Sequence, residues 1–306
     1  MKVFVTGATG FVGQEILRQL HAAGHAVRIL ARNRDSPAVR ELRSRYAAEV
    51  HPGNVTDAAS LTGGLGGCDA VMHLVGIISE VGDQTFENVH ARGTQNIVTA
   101  AQRAGVKRFV HMSALGTRVN AASRYHQSKW AAEDAVRQSG LEFTIFRPSI
   151  IYGPGDQFVN LFAKLARFSP VLPVMGSGQT KFQPIAVEDV AACFVKALTE
   201  PRAVGQTCEL CGPETFTLPE ILHVILAVTG KRRWIVRVPL GLARLQAVLL
   251  EFVFPRLLGK APPLNRDQLV MLQEDNVGDP RAAMEVFGLK LTPFAEGIAR
   301  YVKRDR

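Results

Sequence analysis

Cysteine is scarce in this chain: four residues among 306, which excludes a disulfide-built scaffold and points to a reducing compartment. Aromatic residues amount to only 7% and the basic residues are dispersed, an arrangement that argues against nucleic acid as a partner. No stretch reaches the roughly eighteen uncharged apolar residues needed to cross a bilayer. The most apolar region, Pro239 to Pro255, is broken by Arg244 and Glu251. The opening residues Met1 to Gly7 are too short in apolar length for a signal peptide. The expectation is a cytoplasmic protein, or one peripheral on the cytoplasmic face of the membrane. No internal repeat stands out. The composition that remains, 47% hydrophobic and 21% charged, is that of a folded globular chain. Its net charge of +9 favours anionic partners, nucleotide phosphates and an acidic membrane face among them.

The first half alternates short apolar runs with helix-period segments, the pattern of a parallel sheet covered by helices on both faces. Strands are expected at Val3–Val5, His25–Ala31, Ala47–His51, Ala70–Val75, Arg108–Met112 and Phe143–Phe146. Helices are expected at Phe11–Ala23, from Pro37 to Tyr46, at Phe86–Ala104 and at Arg124–Ser139, three of them closed by Gly24, Gly105 and Gly140. This is an α/β chain, a Rossmann-type doubly wound parallel sheet. After Pro148 the texture becomes loop-rich, with helices at Glu188–Leu198 and Leu218–Val228. Residues 1–150 are expected to form the nucleotide-binding domain, with 182–200 returning to it, and 151–306 a smaller C-terminal α/β lobe for a substrate or partner.

The chemistry begins at Thr6-Gly7-Ala8-Thr9-Gly10-Phe11-Val12-Gly13, between the first strand and the first helix. Gly7 suits a tight turn, Gly10 lets backbone amides approach a pyrophosphate, and Gly13 lets the helix pack closely on the strand. Three glycines at this spacing are a weak signal alone; their place between a strand and a helix makes dinucleotide binding the favoured reading. At the end of strand two, where an NAD site carries Asp or Glu, the chain reads Leu30-Ala31-Arg32-Asn33-Arg34. Guanidiniums in place of a carboxylate suit a 2′-phosphate, so NADP(H) is favoured over NAD(H), against the plainer reading of a solvated basic run. Asn54 and Val55 after strand three, and Leu74, Val75 and Gly76 after strand four, fall where adenine and the nicotinamide ribose would lie. His73 reads equally as a cofactor wall or as a structural histidine.

Tyr125 and Lys129 stand four residues apart on one helix face. An ammonium there lowers the phenol pKa and makes Tyr125 an acid/base, and Ser113, at the end of strand five, can orient a carbonyl. With these residues the chain resembles the short-chain dehydrogenase/reductase superfamily, in its extended or atypical, epimerase/dehydratase-like branch. Gly93-Thr94, Gly105 to Ser113, Arg147-Pro148-Ser149, Tyr152-Gly153-Pro154 and Val187 to Ala191 continue the resemblance along nearly the whole chain. Asp156 to Asn160, Phe182-Gln183-Pro184 and Leu242 to Leu250 narrow it to the subgroup that contains the NAD(P)H-binding accessory subunit of respiratory complex I and its stand-alone bacterial relatives.

The resemblance implies Ser113, Tyr125 and Lys129 as the catalytic set. It implies a nucleotide lined by Gly7, Thr9, Gly10, Phe11 and Val12, then Arg32, Asn54 and Val55, and then Leu74, Val75, Gly76, Met112, Tyr125, Lys129, Pro148 and Ile150. It implies proximity to a membrane, and a carbonyl or quinone-like substrate if the chain turns over. Two functions stay open: an NADP(H)-dependent oxidoreductase, and a nucleotide-holding accessory or assembly protein of a respiratory complex or of quinone synthesis. A nucleotide-sugar epimerase or dehydratase is a weaker third.

Two positions depart from the superfamily pattern. Where a working Asn stands three residues before Gly93, this chain has His90, and the usual Asp after Gly53 is Asn54. Asn88 is two residues from His90, about 200° around a helix, and cannot take its place without a shift. Leu240 to Phe254 reads as a helix apolar around most of its circumference, with burial in the second lobe favoured over contact with an anionic membrane surface or a partner subunit. Cys208-Glu209-Leu210-Cys211 lacks a second pair, and no metal is expected.

Overall fold

The structure is a computed structural model and describes residues 1–302. Its centre is a seven-stranded, wholly parallel sheet. The strands are β1 (Lys2–Thr6), β2 (Ala26–Ala31), β3 (Glu49–Pro52), β4 (Ala70–His73), β5 (Arg108–Met112), β6 (Glu142–Pro148) and β11 (Gln206–Leu210). Their order is β11-β6-β5-β4-β1-β2-β3, so the winding reverses between β1 and β4, the place where open α/β sheets hold ligands.

The alternation of side chains along each strand explains the two covered faces. Val3 and Val5 of β1 point into one layer with α1 (Phe11–Ala22), α2 (Pro37–Tyr46), α6 (Val187–Lys196) and α10 (Arg281–Phe287). Phe4, between them, points into the opposite layer with α3 (Gly93–Arg103) and α4 (Arg124–Arg137). Residues that alternate this way are apolar on both sides, as a doubly covered parallel strand requires. Beyond residue 150 the chain returns to the sheet three times, through α6, β11 and α10.

The seventh strand is the first departure from expectation: the six strands of the first half are joined by β11, paired with β6 from Gln206 opposite Thr144 to Leu210 opposite Pro148. The second is the long helix expected from Phe86. It opens as a wider π-type turn over Glu87–Arg92 and becomes α-helical only at Gly93.

The remaining elements build a smaller layer around α5 (Val159–Phe168), α7 (Leu218–Thr229) and α11 (Phe294–Ala299). Short strands accompany them: β7 (Ile151–Tyr152) pairs with β10 (Ile185–Ala186), β8 (Val171–Met175) with β13 (Trp234–Val238), and β9 (Lys181–Phe182) with β12 (Phe216–Thr217).

Burial of the apolar helix at 240–254 is corrected outright. In α8 (Leu240–Val253) only Ala243 and Ala247 are buried, packed with Leu269 of α9 (Arg266–Met271). Leu245 is 69% exposed, and Leu242, Leu249 and Phe252 each 60% or more. The small residues face the protein because they allow close helix approach; the large ones face outward. Among the described residues no helix is long and apolar enough to cross a membrane.

Candidate nucleotide and catalytic site

The loop between β1 and α1 is shaped by close approach. Gly7 has φ +75°, and a Cβ at Gly13 would sit 2.3 Å from the Gly7 carbonyl oxygen, so the two glycines are pressed together at the strand-to-helix turn. Gly10 caps α1 with extended backbone and no side-chain hydrogen bond, and no acidic residue occupies the first turn. The first amides of α1, at Phe11, Val12 and Gly13, therefore have no carboxylate competing for them, and the positive helix end is free to take a phosphate. Thr9 and Gly10 are exposed, Phe11 half-buried and Val12 buried. This geometry fits a dinucleotide pyrophosphate.

At the end of β2, Arg32 and Arg34 are exposed, and neither has a hydrogen-bonded or ion-paired partner among the described residues. Asn54 is held by its own loop: its amide donates to Ser60 Oγ (2.9 Å) and its side chain accepts from the Thr56 amide (3.2 Å). The Val55 carbonyl accepts from Asn96 Nδ2 (2.8 Å). Both residues thus sit on backbone fixed by hydrogen bonds, just past the end of the edge strand β3. Leu74 is buried, Val75 half-buried and Gly76 exposed, in order outward from β4.

His73 resolves as structural. It is fully buried, with Nδ1 2.7 Å from Thr6 Oγ1 and Nε2 3.1 Å from Thr94 Oγ1, and burial then Lys129 hold its pKa down at about 3. Its ring stacks on His111, also buried and kept neutral, whose two ring nitrogens have no partner among the described residues.

Lys129 is buried, and its ammonium donates to the Met112 carbonyl at 3.1 Å, at the end of β5. Burial lowers its pKa to about 8, against a smaller opposing pull from Glu133. Ser113 follows directly; it is buried, and its amide donates to the Phe146 carbonyl at 2.7 Å. Tyr125 lies one turn before Lys129, its ring edge-on to Phe86 and His90, its hydroxyl unbonded among the described residues. The expectation that the ammonium lowers the phenol pKa is overturned. Desolvation raises it to about 12. Pro148 closes β6, its carbonyl accepting from the Leu115 amide (2.9 Å), and the Ile150 carbonyl accepts from the Ile185 amide (2.9 Å). The strand ends thus bring Ser113, Met112 and Lys129 together, while Pro148 and Ile150 lie on the next backbone segment.

His90, at the sequence position where the superfamily pattern has Asn, is buried. Its Nε2 accepts from the Ile77 amide at 3.0 Å, which leaves Nδ1 to donate to Ser128 Oγ at 2.8 Å; Ser128 in turn donates to the Tyr125 carbonyl at 2.7 Å. Both ring nitrogens are engaged, and burial, then Lys129, drives its pKa down to about 2. A Cβ built on Gly76 would lie 3.0 Å from Lys129 Nζ and 3.5 Å from His90 Nε2, which places those two nitrogens around one backbone atom. Asn88 turns away, its amide group donating to the Asp83 carbonyl at 3.0 Å.

One site residue escaped the sequence altogether. Asp267, 142 positions after Tyr125, accepts from the Arg124 amide (2.8 Å) and the Tyr125 amide (3.0 Å), joining Ser123 in capping α4. The spacing Asn265-x-x-Gln268 signals a capping box and hence a helix start, and the structure has one there. Nothing local names the distant helix that Asp267 serves.

The comparisons agree with this geometry. Residues 7–201 match the model of a family described as NAD(P)H-binding. The chain is 31% identical over 277 residues to the NADH dehydrogenase [ubiquinone] 1 alpha subcomplex subunit 9, mitochondrial, of Arabidopsis thaliana, covering 89% of this chain and 68% of that one. It is 35% identical over 240 residues to a ceramide reductase of Caulobacter vibrioides, covering 78% and 73%. A dTDP-glucose 4,6-dehydratase of Streptomyces venezuelae, solved with NAD bound, shares the fold with a TM-score of 0.76 at 22% identity, over 99% of this chain and 96% of that one. Sheet, glycine turn and relatives converge: the chain belongs to the NAD(P)H-binding family of extended short-chain dehydrogenase/reductase-like proteins.

Proposed function

We propose that the chain is an NADP(H)-dependent reductase acting on a carbonyl or quinone-like substrate, with residues 1–150, joined by α6, β11 and α10, carrying the nucleotide and the other elements after residue 150 the substrate or partner side. The observation that carries it is the group at the end of β5: Lys129 bound to the Met112 carbonyl, Ser113 adjoining, and Tyr125 one turn away with a free hydroxyl. A bound nicotinamide supplies the hydride. Ser113 orients the carbonyl oxygen, and Tyr125, protonated across the neutral range, gives that oxygen its proton as the carbon is reduced. Lys129 holds the nicotinamide ribose and returns positive charge to the phenol side. The free Arg32 and Arg34 support NADP(H): a 2′-phosphate gives both guanidiniums a charged acceptor. Its partners on this reading are an anionic membrane surface or a subunit of a respiratory complex.

A second reading rests on His90. With both ring nitrogens tied and a pKa near 2, it carries no proton away from Lys129, which suits a nucleotide that is held and not turned over. This is the reading that brings the plant complex I relative to bear.

The purified full chain, its bound nucleotide identified and its release rate measured, separates the two. Release at about 10 per second or faster matches ordinary turnover and supports the reductase. Release over hours supports the held nucleotide. Tyr125→Phe is then expected to cut carbonyl-dependent NADPH oxidation by about 10²- to 10⁴-fold with NADPH affinity retained. No affinity for either dinucleotide sinks both readings.

A further inference from the structure

We propose that the outward face of α8, with the segment that follows it, docks on an anionic lipid bilayer. At 100° per residue, Leu242, Leu245, Leu249 and Phe252 fall within about 80° of one another, on the side opposite Ala243 and Ala247. The helix therefore carries its large apolar side chains away from the protein. The exposure is concentrated. Nine of the eighteen large hydrophobic side chains exposed among the described residues lie between Trp234 and Leu258. A patch of this kind marks an interaction surface.

Charge selects the occupant. Between residues 231 and 260 there are seven Lys or Arg and one acid, so this stretch holds +6 of the chain's formal +9. The one acid, Glu251, is already bonded to Arg266 (2.7 Å). Arg232, Arg237, Arg244, Arg256 and Lys260 are exposed around the apolar stripe, and the Arg256 guanidinium lies 4.0 Å from the centre of the Phe252 ring. Leucines flanked by Trp, Phe and basic side chains are what a helix lying in a headgroup layer presents. A second copy of this chain would oppose the same +6 to itself.

The face is tied to the candidate catalytic site by one short helix. Glu251 of α8 accepts from the Arg266 amide and side chain, Leu269 packs on Ala243 and Ala247, and Asp267 between them caps the helix that bears Tyr125. Asn265 Nδ2 donates to the Ile78 carbonyl (3.2 Å) and Ser79 Oγ (2.7 Å), beside the loop held by His90. A bilayer against α8 thus lies one element away from Tyr125. On the reductase reading, and resting on it, the substrate class this implies is a membrane-resident amphiphile bearing a carbonyl or quinone.

The test is co-sedimentation of the full chain with vesicles of phosphatidylcholine alone and of phosphatidylcholine and phosphatidylglycerol, two to one. Binding is expected on the mixed vesicles, about tenfold or more stronger than on the neutral ones, and weakening as salt is added. Leu245→Glu with Leu249→Glu, both outside the site, is expected to abolish it. Arg237→Glu with Arg256→Glu is expected to remove the preference for the anionic lipid. Dinucleotide affinity, measured on the same variants, is expected to stay at the wild-type value, which shows that they fold and keeps the outcome separate from that of the proposed reaction. The proposal is overturned by equal sedimentation of wild type and the double-Glu variant, or by no sedimentation with either vesicle. It is also overturned by a wild-type dimer that the double-Glu variant converts to monomer in the absence of lipid.

Discussion

The turn after β1 and the helix α8 use apolar and small residues in opposite ways. At the turn, Gly7 and Gly13 press backbone against backbone, and every substitution larger than hydrogen meets an atom. In α8 the small residues, Ala243 and Ala247, also make the close contact, but the large ones point outward. In the first region packing leaves the first amides of α1 free of a competing carboxylate, for a ligand to bind. In the second, packing is complete without the leucines, so they remain for something beyond the chain. Small residues mark where a protein must close on itself; large apolar residues left over mark where it has not.

The sharpest way to break this comparison is Gly13→Val. With the Gly7 carbonyl 2.3 Å from the new Cβ, the helix must separate from the strand. A loss on the order of 3 kcal/mol or more in stability, with dinucleotide binding gone, is expected by chemical denaturation and titration. Wild-type stability in that variant means the turn can open, and the cradle is not set by packing.

Lys129→Met probes the buried ammonium. Burial lowers its pKa from the usual 10.5 to about 8, so between those values the unfolded chain binds a proton that the folded one does not. Wild-type stability from this group therefore rises with pH across that window, by a total on the order of 3 kcal/mol. Below pH 8 the folded state bears the whole cost of a buried charge. The methionine variant is expected to be the more stable at pH 7, with the difference closing toward pH 10.5, while carbonyl reduction is lost. A less stable variant at pH 7 means the bond to the Met112 carbonyl outweighs the desolvation of the amine.

How far the sequence reached follows the same division. The parallel sheet was legible because each strand is a short apolar run between helix signals, and the glycine window because its chemistry is local. Tyr125 and Lys129 could be paired because helical geometry joins residues four apart. What could not be read was non-local or environmental. β11 lies far along the chain from β6, with which it pairs, and Asp267 meets Tyr125 across 142 residues. The phenol pKa depends on how dry its pocket is, and spacing carries no record of that. The helix at 240–254 is legible as a helix, but its apolar content does not tell burial from an outward face; the narrow stripe of Ala243 and Ala247 marks which side faces inward.

Asp267→Ala tests how firmly the helix packed on α8 holds the helix that bears Tyr125. It takes the acceptor from the Arg124 and Tyr125 amides while Ser123 still caps His126. A loss of about 1 kcal/mol is expected, the usual worth of a helix cap, read by denaturant titration. An unchanged midpoint means water replaces the carboxylate without cost, and α9 then does not hold the catalytic helix in place.

The smallest effect is the most telling for α8. Leu245→Ala removes a side chain that is 69% exposed, so it creates no cavity, and stability is expected to move by no more than about 0.5 kcal/mol in either direction. A buried leucine loses about 2–5 kcal/mol on the same change, because the lost transfer free energy is joined by an unfilled hole. A large loss in lipid-free solution, one that grows with protein concentration, therefore means that a second copy covers this face; a loss of that size independent of concentration means that the chain folds over its own leucines. Only the near-zero result leaves the face open, with four large apolar side chains whose partner must come from outside the chain.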